Sequence, residues 1–260
     1  MRTPNLAIVI YCTVVGFAVL YETQPLLPML AAHWQRGIDE AALLTTATLA
    51  PLAIAPLLYG YILEHVSSKH MLTGAFLILT IAQAGLALGP DYPVFLALRT
   101  LQGLMLPAIF TALMTYSSAT GGQAQSRRNI TIYIAATIVG GFSGRFFSGI
   151  LSDLFGWAHA FGFWTVAALL ATWLTTRLES DPRLRLGKVS SREIAALAAR
   201  PVYAEGFLAA FLLFFVFAAM LNFLPFQMRS NDPDITQSEI ALVYAGYLIG
   251  VVVSLYSLRL

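Results

Sequence analysis

Long apolar runs separated by short polar stretches dominate this chain of 260 residues. A helix needs about 20 apolar residues to cross the hydrocarbon core of a bilayer, and eight runs approach that length. These runs cover residues 6–29, 42–59, 71–88, 94–116, 130–151, 160–174, 206–225 and 240–256. Because unpaired backbone amides are costly in lipid, the runs are predicted to form helices. The pattern predicts an all-α membrane protein with eight spans in a lipid bilayer.

The composition supports this fold class. Hydrophobic residues make up 58% of the chain and charged residues only 11%, whereas about a quarter of the residues of a typical soluble domain are charged. The formal net charge of +2 gives no reason to expect a nucleic-acid partner. Cys12 is the single cysteine, which excludes an intrachain disulfide, and no His or Cys spacing indicates a metal site. We expect no cofactor.

Lysine and arginine residues are distributed unevenly among the predicted loops. If the N-terminus is cytoplasmic, eleven of them lie on the inner side and two on the outer side, as the positive-inside rule requires. The outer pair is Arg36 and Arg229. The inner set is Arg2, Lys69, Arg127, Arg128, Arg177, Arg183, Arg185, Lys188, Arg192, Arg200 and Arg259. We therefore predict a multi-pass protein of the plasma (inner) membrane with a cytoplasmic N-terminus.

The long polar stretch at residues 177–203 divides the chain. It separates a predicted six-helix unit, 1–176, from two further helices in 204–260. Ser190 is followed three residues later by Glu193, the spacing of a capping box, so a short amphipathic helix is predicted within this cytoplasmic linker. A disordered loop is the alternative.

Two short motifs stand at the ends of the second and fourth spans. The loop after the second span has Gly60, Glu64 and Lys69 at the positions of a Gly-x-Leu-Ala-Asp-Arg-x-Gly-Arg-Lys pattern, with glutamate in place of aspartate. The fourth span contains Arg99 and Gln102 in the pattern Arg-x-x-Gln-Gly.

A third motif lies in the fifth span. Gly140, Gly144 and Gly149 follow the pattern Gly-x-x-x-Gly-Pro-x-x-Gly-Gly, with Arg145 at the proline position and Ser148 at one glycine position. Gly140, Gly144 and Ser148 recur every four residues and form a narrow helix face, which predicts close packing against another helix.

Together, the three motifs resemble those of the major facilitator superfamily of secondary transporters. The resemblance implies a six-helix N-terminal half followed by the first two helices of the second half, so we expect a truncated transporter that lacks part of its C-terminal half. A second half like the first would need on the order of 130 further residues. A complete eight-span protein is the alternative.

The resemblance also implies a role for Gly60, Glu64 and Lys69. Charge pairs formed by Glu64 and Lys69 would hold a cytoplasmic gate closed in one state and break in the other. A solvated turn with a topology-setting lysine is the alternative interpretation.

Three ionisable residues fall inside predicted spans: Glu22, Arg99 and Arg145. Each costs about 2.5–3.5 kcal/mol on insertion scales and therefore needs a partner or a function. We predict that Glu22 is the proton-coupling carboxylate and Arg99 its partner, with a permanent structural ion pair as the alternative. Gln24 and Gln102 are candidate substrate-binding groups or interhelical hydrogen bonds. Arg145 is a candidate for binding an anionic group or for anchoring to another helix.

The predicted function is secondary transport of a small-molecule substrate, with proton-coupled efflux by alternating access as the specific hypothesis. We do not expect an enzyme. An inactive fragment or a nontransporting membrane protein is one alternative. An intramembrane serine protease is a remote one, because Ser143 lies in a Gly-x-Ser-Gly pattern. Such a serine needs a histidine base, and His159, in a predicted outer loop, is the only histidine that follows it.

Overall fold

The structure is a computed structural model that describes residues 3–118, 123–179, 200–246 and 248–250. Within these ranges, the surroundings of the side chains at 3–4, 54, 56–58, 60–65 and 202 are not described. The α-helices are α1 (Thr3–Tyr21), α2 (Leu27–His33), α3 (Ile38–His65), α4 (Ser68–Ala87), α5 (Tyr92–Ser118), α6 (Gln123–Phe155), α7 (Trp157–Thr176), α8 (Pro201–Asn231) and α9 (Gln237–Val243). Short 3-10 turns cover Gln24–Leu26 and Tyr244–Gly246.

The predicted all-α membrane fold is confirmed. Six stretches of the described residues are long and apolar enough to cross a membrane, and the 28-residue helix α3 contains the second predicted span. The eighth predicted span begins in α9, but most of it, like the predicted linker helix, lies outside the described residues. The division into units at 1–176, 177–203 and 204–260 stays a prediction.

The first predicted span is broken near its end by proline. Pro25 has no N–H group, and its ring would clash with the carbonyl of Tyr21 in a continuous helix, so α1 ends at Tyr21. The chain then turns through Glu22 and Thr23 into the 3-10 turn before α2 begins at Leu27. The break leaves the last carbonyls of α1 without helical donors.

The bundle is built from paired helices. Helix α1 packs along α6, α3 packs along α5, and α4 lies against both α5 and α7. In the α1–α6 pair, a Cβ atom added at Gly144 would lie 2.6 Å from the Cα atom of Ala18, and one added at Gly140 would lie 2.6 Å from the carbonyl oxygen of Val14. The backbones of the two helices can approach so closely only because these positions carry no side chain.

Helix α8 contrasts with the rest of the bundle because only 6% of its most apolar stretch is buried. Phe211, Leu213 and Phe214 are 63%, 70% and 67% exposed. Its contacts include α2, α3 and the 3-10 turn at Gln24–Leu26, and the Tyr244 hydroxyl donates to the carbonyl of Leu221, so α8 is held through its C-terminal part.

The close approach of α1 and α6 gives a direct test. We predict that Gly144→Ala lowers the stability of the folded protein by about 1–3 kcal/mol, because the added methyl group forces the two backbones apart. The effect is measured by thermal unfolding in detergent, with the fraction of folded protein monitored by size-exclusion chromatography. Gly74→Ala in α4 is the matched control, because a Cβ atom there meets nothing within 4 Å. Equal melting temperatures for the two variants would contradict the prediction.

Candidate functional site

Glu22 and Arg99 form an ion pair at the centre of the bundle. The Arg99 Nη1 atom lies 3.7 Å from the Glu22 Oε1 atom, and neither side chain is exposed to solvent. Glu22 is placed in the turn that follows α1, and Arg99 lies in the second turn of α5. A fully buried charge without a partner would be strongly destabilising, and here each of the two charges has the other as its partner.

Two glutamines, Gln83 and Gln102, form a ring together with this pair. The Gln83 Nε2 atom donates to both carboxylate oxygens of Glu22, at 2.9 and 2.8 Å. The Gln102 Nε2 atom donates to the Gln83 Oε1 atom, and the Arg99 Nη1 atom donates to the Gln102 Oε1 atom at 2.7 Å. All four side chains are fully buried. The site is therefore a ring of three hydrogen-bonded links, closed by the Arg99–Glu22 ion pair and contributed by the end of α1 and by α4 and α5.

The remaining donors of Arg99 bind backbone carbonyls. Nη1 donates to the carbonyl oxygen of Val19 at 3.1 Å and Nη2 to that of Leu20 at 3.2 Å. Both carbonyls belong to the last turn of α1, which carries the negative end of the helix dipole. Nε donates to the carbonyl of Leu44 in α3 at 3.3 Å. The break at Pro25 thus supplies acceptors for the buried guanidinium group.

Arg145 lies in a second cluster, which joins α6 to α8 and α9. Its Nε atom donates to the Gln24 Oε1 atom at 2.7 Å, and the Gln24 Nε2 atom donates to the Asn222 Oδ1 atom at 2.7 Å. The guanidinium carbon lies 4.1 Å from the centre of the Tyr21 ring and 4.8 Å from that of Tyr244. Cation–π contacts of this kind contribute about 0.5–2 kcal/mol each. Arg145 therefore connects helices α1 and α6 with α8, through Gln24 and Asn222, and with the 3-10 turn that follows α9.

Asp153 at the end of α6 binds the beginning of α9. Its carboxylate accepts hydrogen bonds from the backbone nitrogens of Gln237 and Ser238, at 3.0 and 2.7 Å, and from the Ser238 hydroxyl at 2.5 Å. Within α9, hydrogen bonds from the backbone and side chain of Thr236 lower the pKa of Glu239, which completes a capping box. A carboxylate at a helix N-terminus is electrostatically favourable.

The packing motif of α6 faces three different helices. Gly140 and Gly144 lie against α1, and Ser148 accepts a hydrogen bond from the Trp164 Nε1 atom of α7 at 3.0 Å. A Cβ atom at Gly149 would lie 2.6 Å from the carbonyl of Gln237. The motif therefore allows close approach of α9 as well as α1.

Of the predicted gate residues, Lys69 is the one whose side chain the structure describes. The Lys69 Nζ atom donates to the carbonyl of Leu178, just past the end of α7, at 2.6 Å. Gly60 and Glu64 lie in α3, but their surroundings are not described. A Glu64–Lys69 gate stays a prediction.

A wide-open depression of about 430 Å³ lies between α6 and the second part of the chain, lined by Ile138, Phe217, Gly246 and Gly250. Among the residues that the structure describes, no group of three or more His, Cys, Asp or Glu side chains is arranged to hold a metal ion.

Gln83 and Asn222 were not predicted from the sequence. Both are polar residues within long apolar helices, which is a signal that sequence analysis could have used. Neither belongs to a motif, and the partner of each is fixed by packing between helices that are distant in the sequence. Gln83 contacts a residue 61 positions away and Asn222 one 198 positions away.

The comparisons with known proteins identify the family. The family model described as Major Facilitator Superfamily matches residues 6–260. The chain belongs to the major facilitator superfamily. Among its superfamily relatives, the inner membrane transport protein YnfM of Escherichia coli is 25% identical over 255 residues. The MFS-type transporter YybF of Bacillus subtilis is 24% identical over 241 residues. Both relatives are named as transporters.

The superfamily relatives are longer than this chain. The alignments cover 90% of the chain but 57% of YnfM and 59% of YybF. Solved structures show the same fold: a bacterial homologue of the human lysosomal transporter Spinster, in an inward-facing, unoccupied conformation, has a TM-score of 0.76 at 15% identity. That match covers 94% of this chain and 59% of the other. A proton-dependent oligopeptide transporter has a TM-score of 0.63 at 16% identity, over 97% and 53% of the two chains.

The contact between α6 and α9 generates a prediction. Asp153→Ala removes the acceptor for three donors of α9 and is expected to lower stability by about 1 kcal/mol, the usual value for a helix cap. Thermal unfolding in detergent measures this loss. Asp232→Ala is the control, because the Asp232 carboxylate accepts from the nitrogen of Asp234 within the same loop. If both variants unfold at the wild-type temperature, Asp153 does not stabilise α9.

Proposed function

We propose that this chain carries out proton-coupled secondary transport of a small solute as part of a major-facilitator carrier. The observation that carries the proposal is the fully buried Glu22–Arg99 pair, at 3.7 Å, in a chain whose relatives are transporters. Ionisable residues inside membrane spans are expensive to insert, and in transporters they mark ion and proton pathways.

The chemistry of the pair suits proton coupling. A carboxylate beside a guanidinium group favours its charged form, whereas the same group in an apolar surrounding favours its neutral form. Movement of Arg99 away from Glu22 would therefore promote proton uptake, and its return would promote release. A change in the distance between α1 and α5 would link proton transfer to the conformation of the bundle.

The arrangement of the two parts of the chain supports alternating access. Polar contacts between α1–α7 and the second part of the chain include Gln24–Asn222 in the C-terminal half of α8 and Asp153–Gln237 at the start of α9. At the other end, Phe207 and Leu208 of α8 are both 58% exposed. In this proposal, contacts of this kind close one side of the substrate pathway between the two halves of the carrier. They open when the other side of the pathway closes.

Sidedness and direction are further parts of the proposal. The bias of lysine and arginine supports a cytoplasmic N-terminus, which places Asp153 and α9 at the outer end. The name of YnfM, an inner membrane transport protein, supports an inner-membrane location. Efflux of drug-like or sugar-like compounds by antiport with protons is proposed from the resemblance of the α6 motif, Gly140, Gly144 and Gly149, to that of the superfamily.

Glu22→Gln tests the proposal. In everted membrane vesicles energised by respiration, addition of a transported compound from a panel of drugs and sugars should release protons, detected with a pH-sensitive acridine dye. We expect the Glu22→Gln variant to lose this response by at least about tenfold, because a neutral amide cannot exchange the proton.

The matched control is Glu40→Gln, because Glu40 forms an exposed ion pair with Arg36 at 2.9 Å and should leave the response unchanged. Retention of the full response in Glu22→Gln would remove Glu22 from the coupling mechanism. No response to any compound from wild-type vesicles would favour the inactive-fragment alternative.

A further inference from the structure

The ring of Glu22, Gln83, Gln102 and Arg99 has a fixed hydrogen-bond direction. A guanidinium group can only donate and a charged carboxylate can only accept. Arg99 donates to the Gln102 oxygen, so the Gln102 nitrogen faces the Gln83 oxygen and the Gln83 nitrogen faces Glu22. Arg99, which only donates, and Glu22, which only accepts, therefore determine the orientation of both amides.

A proton on Glu22 conflicts with this direction. The Gln83 Nε2 atom lies 2.9 and 2.8 Å from the two carboxylate oxygens, so it is a donor to either of them. Turning the Gln83 amide around would bring its NH₂ group against that of Gln102. Turning Gln102 as well would bring an NH₂ group against Arg99, which has no acceptor. In each arrangement one buried donor is left without an acceptor inside the ring, and an unpaired buried donor is costly.

We propose that Gln83 and Gln102 are positioning residues that jointly hold Glu22 in its charged form, so that Glu22 takes up a proton only when this hydrogen-bonded chain opens. The inference rests on the proposed function, in which Glu22 is the proton-coupling group. It adds a specific condition, because movement of Arg99 is not sufficient while both amides remain in place.

The other groups around Glu22 do not change this argument. Arg99 from α5 is the charged group that faces Glu22. Helix α7 contributes the carbonyl of Phe161, which accepts from the Gln83 Nε2 atom at 3.3 Å. Arg145 from α6 donates to Gln24. The carbonyl of Phe161 also favours the observed orientation of Gln83, because it can accept only from the nitrogen of the amide.

A double-mutant cycle tests the proposal by measuring the protonation of Glu22 directly. The purified 260-residue chain in lipid nanodiscs is titrated with pH and followed by infrared difference spectroscopy, and the carboxylic-acid band that is lost in Glu22→Gln is assigned to Glu22. The cycle compares wild type with Gln83→Met, Gln102→Met and the double variant. Methionine has a similar length and cannot donate a hydrogen bond.

We expect Gln83→Met to raise the ratio of acid to carboxylate at Glu22 by about tenfold at a given pH, because the charged form loses a donor. In the Gln102→Met background the same change should have an effect of less than about threefold, because Gln83 is then free to turn and serve either form. Gln227→Met is the control, since Gln227 is exposed and donates to Asn231 in α8. Equal effects of Gln83→Met in the two backgrounds would overturn the proposal.

A second variant covers the case in which Gln83→Met does not fold. Gln83→Glu keeps the size of the side chain, and in its acid form it can accept from Gln102 and donate to Glu22, which preserves the direction of the ring. We expect an additional carboxylic-acid band in Gln83→Glu at a pH where the wild-type Glu22 band is absent. Absence of that band would overturn the proposal.

The outcome is distinct from that of the transport test, because the titration needs no substrate. If the effects of Gln83→Met and Gln102→Met are coupled and Glu22→Gln transports fully, the proposed function is overturned and the positioning role of the two glutamines is supported. If the effects of Gln83→Met and Gln102→Met are additive and Glu22→Gln loses transport, the positioning role of the two glutamines is overturned and the proposed function is supported.

Discussion

Arg99 carries a positive charge into the apolar centre of the helix bundle, and much of the surrounding structure satisfies that charge. It forms an ion pair with Glu22 and donates hydrogen bonds to Gln102 and to three carbonyls from α1 and α3. Two of those carbonyls are available because Pro25 ends α1 early. The break in the first span, the buried carboxylate and the positions of the two glutamines are thus linked by one electrostatic requirement: a charge in a low-dielectric interior needs complete pairing.

Polar contacts also explain how the second part of the chain is held. Helix α8 has little buried surface, so apolar packing within this chain contributes little to its position. Instead, a hydrogen bond from Gln24 to Asn222 connects α8 to the preceding helices, α1–α7. Hydrogen bonds from α9 to Asp153 and the stacking of Arg145 on Tyr244 hold α9 and the turn that follows it. Such contacts are directional and few, so a small number of groups can form or break them in a conformational change.

The sequence predicted the features that depend on local composition. Apolar runs of sufficient length predicted the spans. Glu22, Arg99 and Arg145 were selected because ionisable residues inside spans are rare. Gln83 was missed because a neutral amide carries a much smaller insertion penalty and belongs to no motif here. Its role appears only when α4 packs against α5 and brings it between Glu22 and Gln102.

The same limit applies to α6. Its small residues predicted close helix packing, but the identity of the partner helices depends on the tertiary arrangement. Gly140 and Gly144 contact α1, whereas Gly149 contacts α9. The substitution of Arg145 for the proline of the motif was visible in the sequence. Its position between two tyrosine rings was not, because Tyr21 and Tyr244 lie 223 positions apart in the chain.

The stability of Glu22 and Arg99 variants tests the central claim most directly, namely that the two charges require each other. Thermal unfolding in detergent should be compared for Glu22→Met, Arg99→Met and the double variant. Removing one partner leaves a buried charge and should cost about 3–5 kcal/mol, whereas replacing both with apolar side chains should cost much less than the sum of the two. Additive losses in the double variant would show that the two charges are stabilised independently, and would contradict the account.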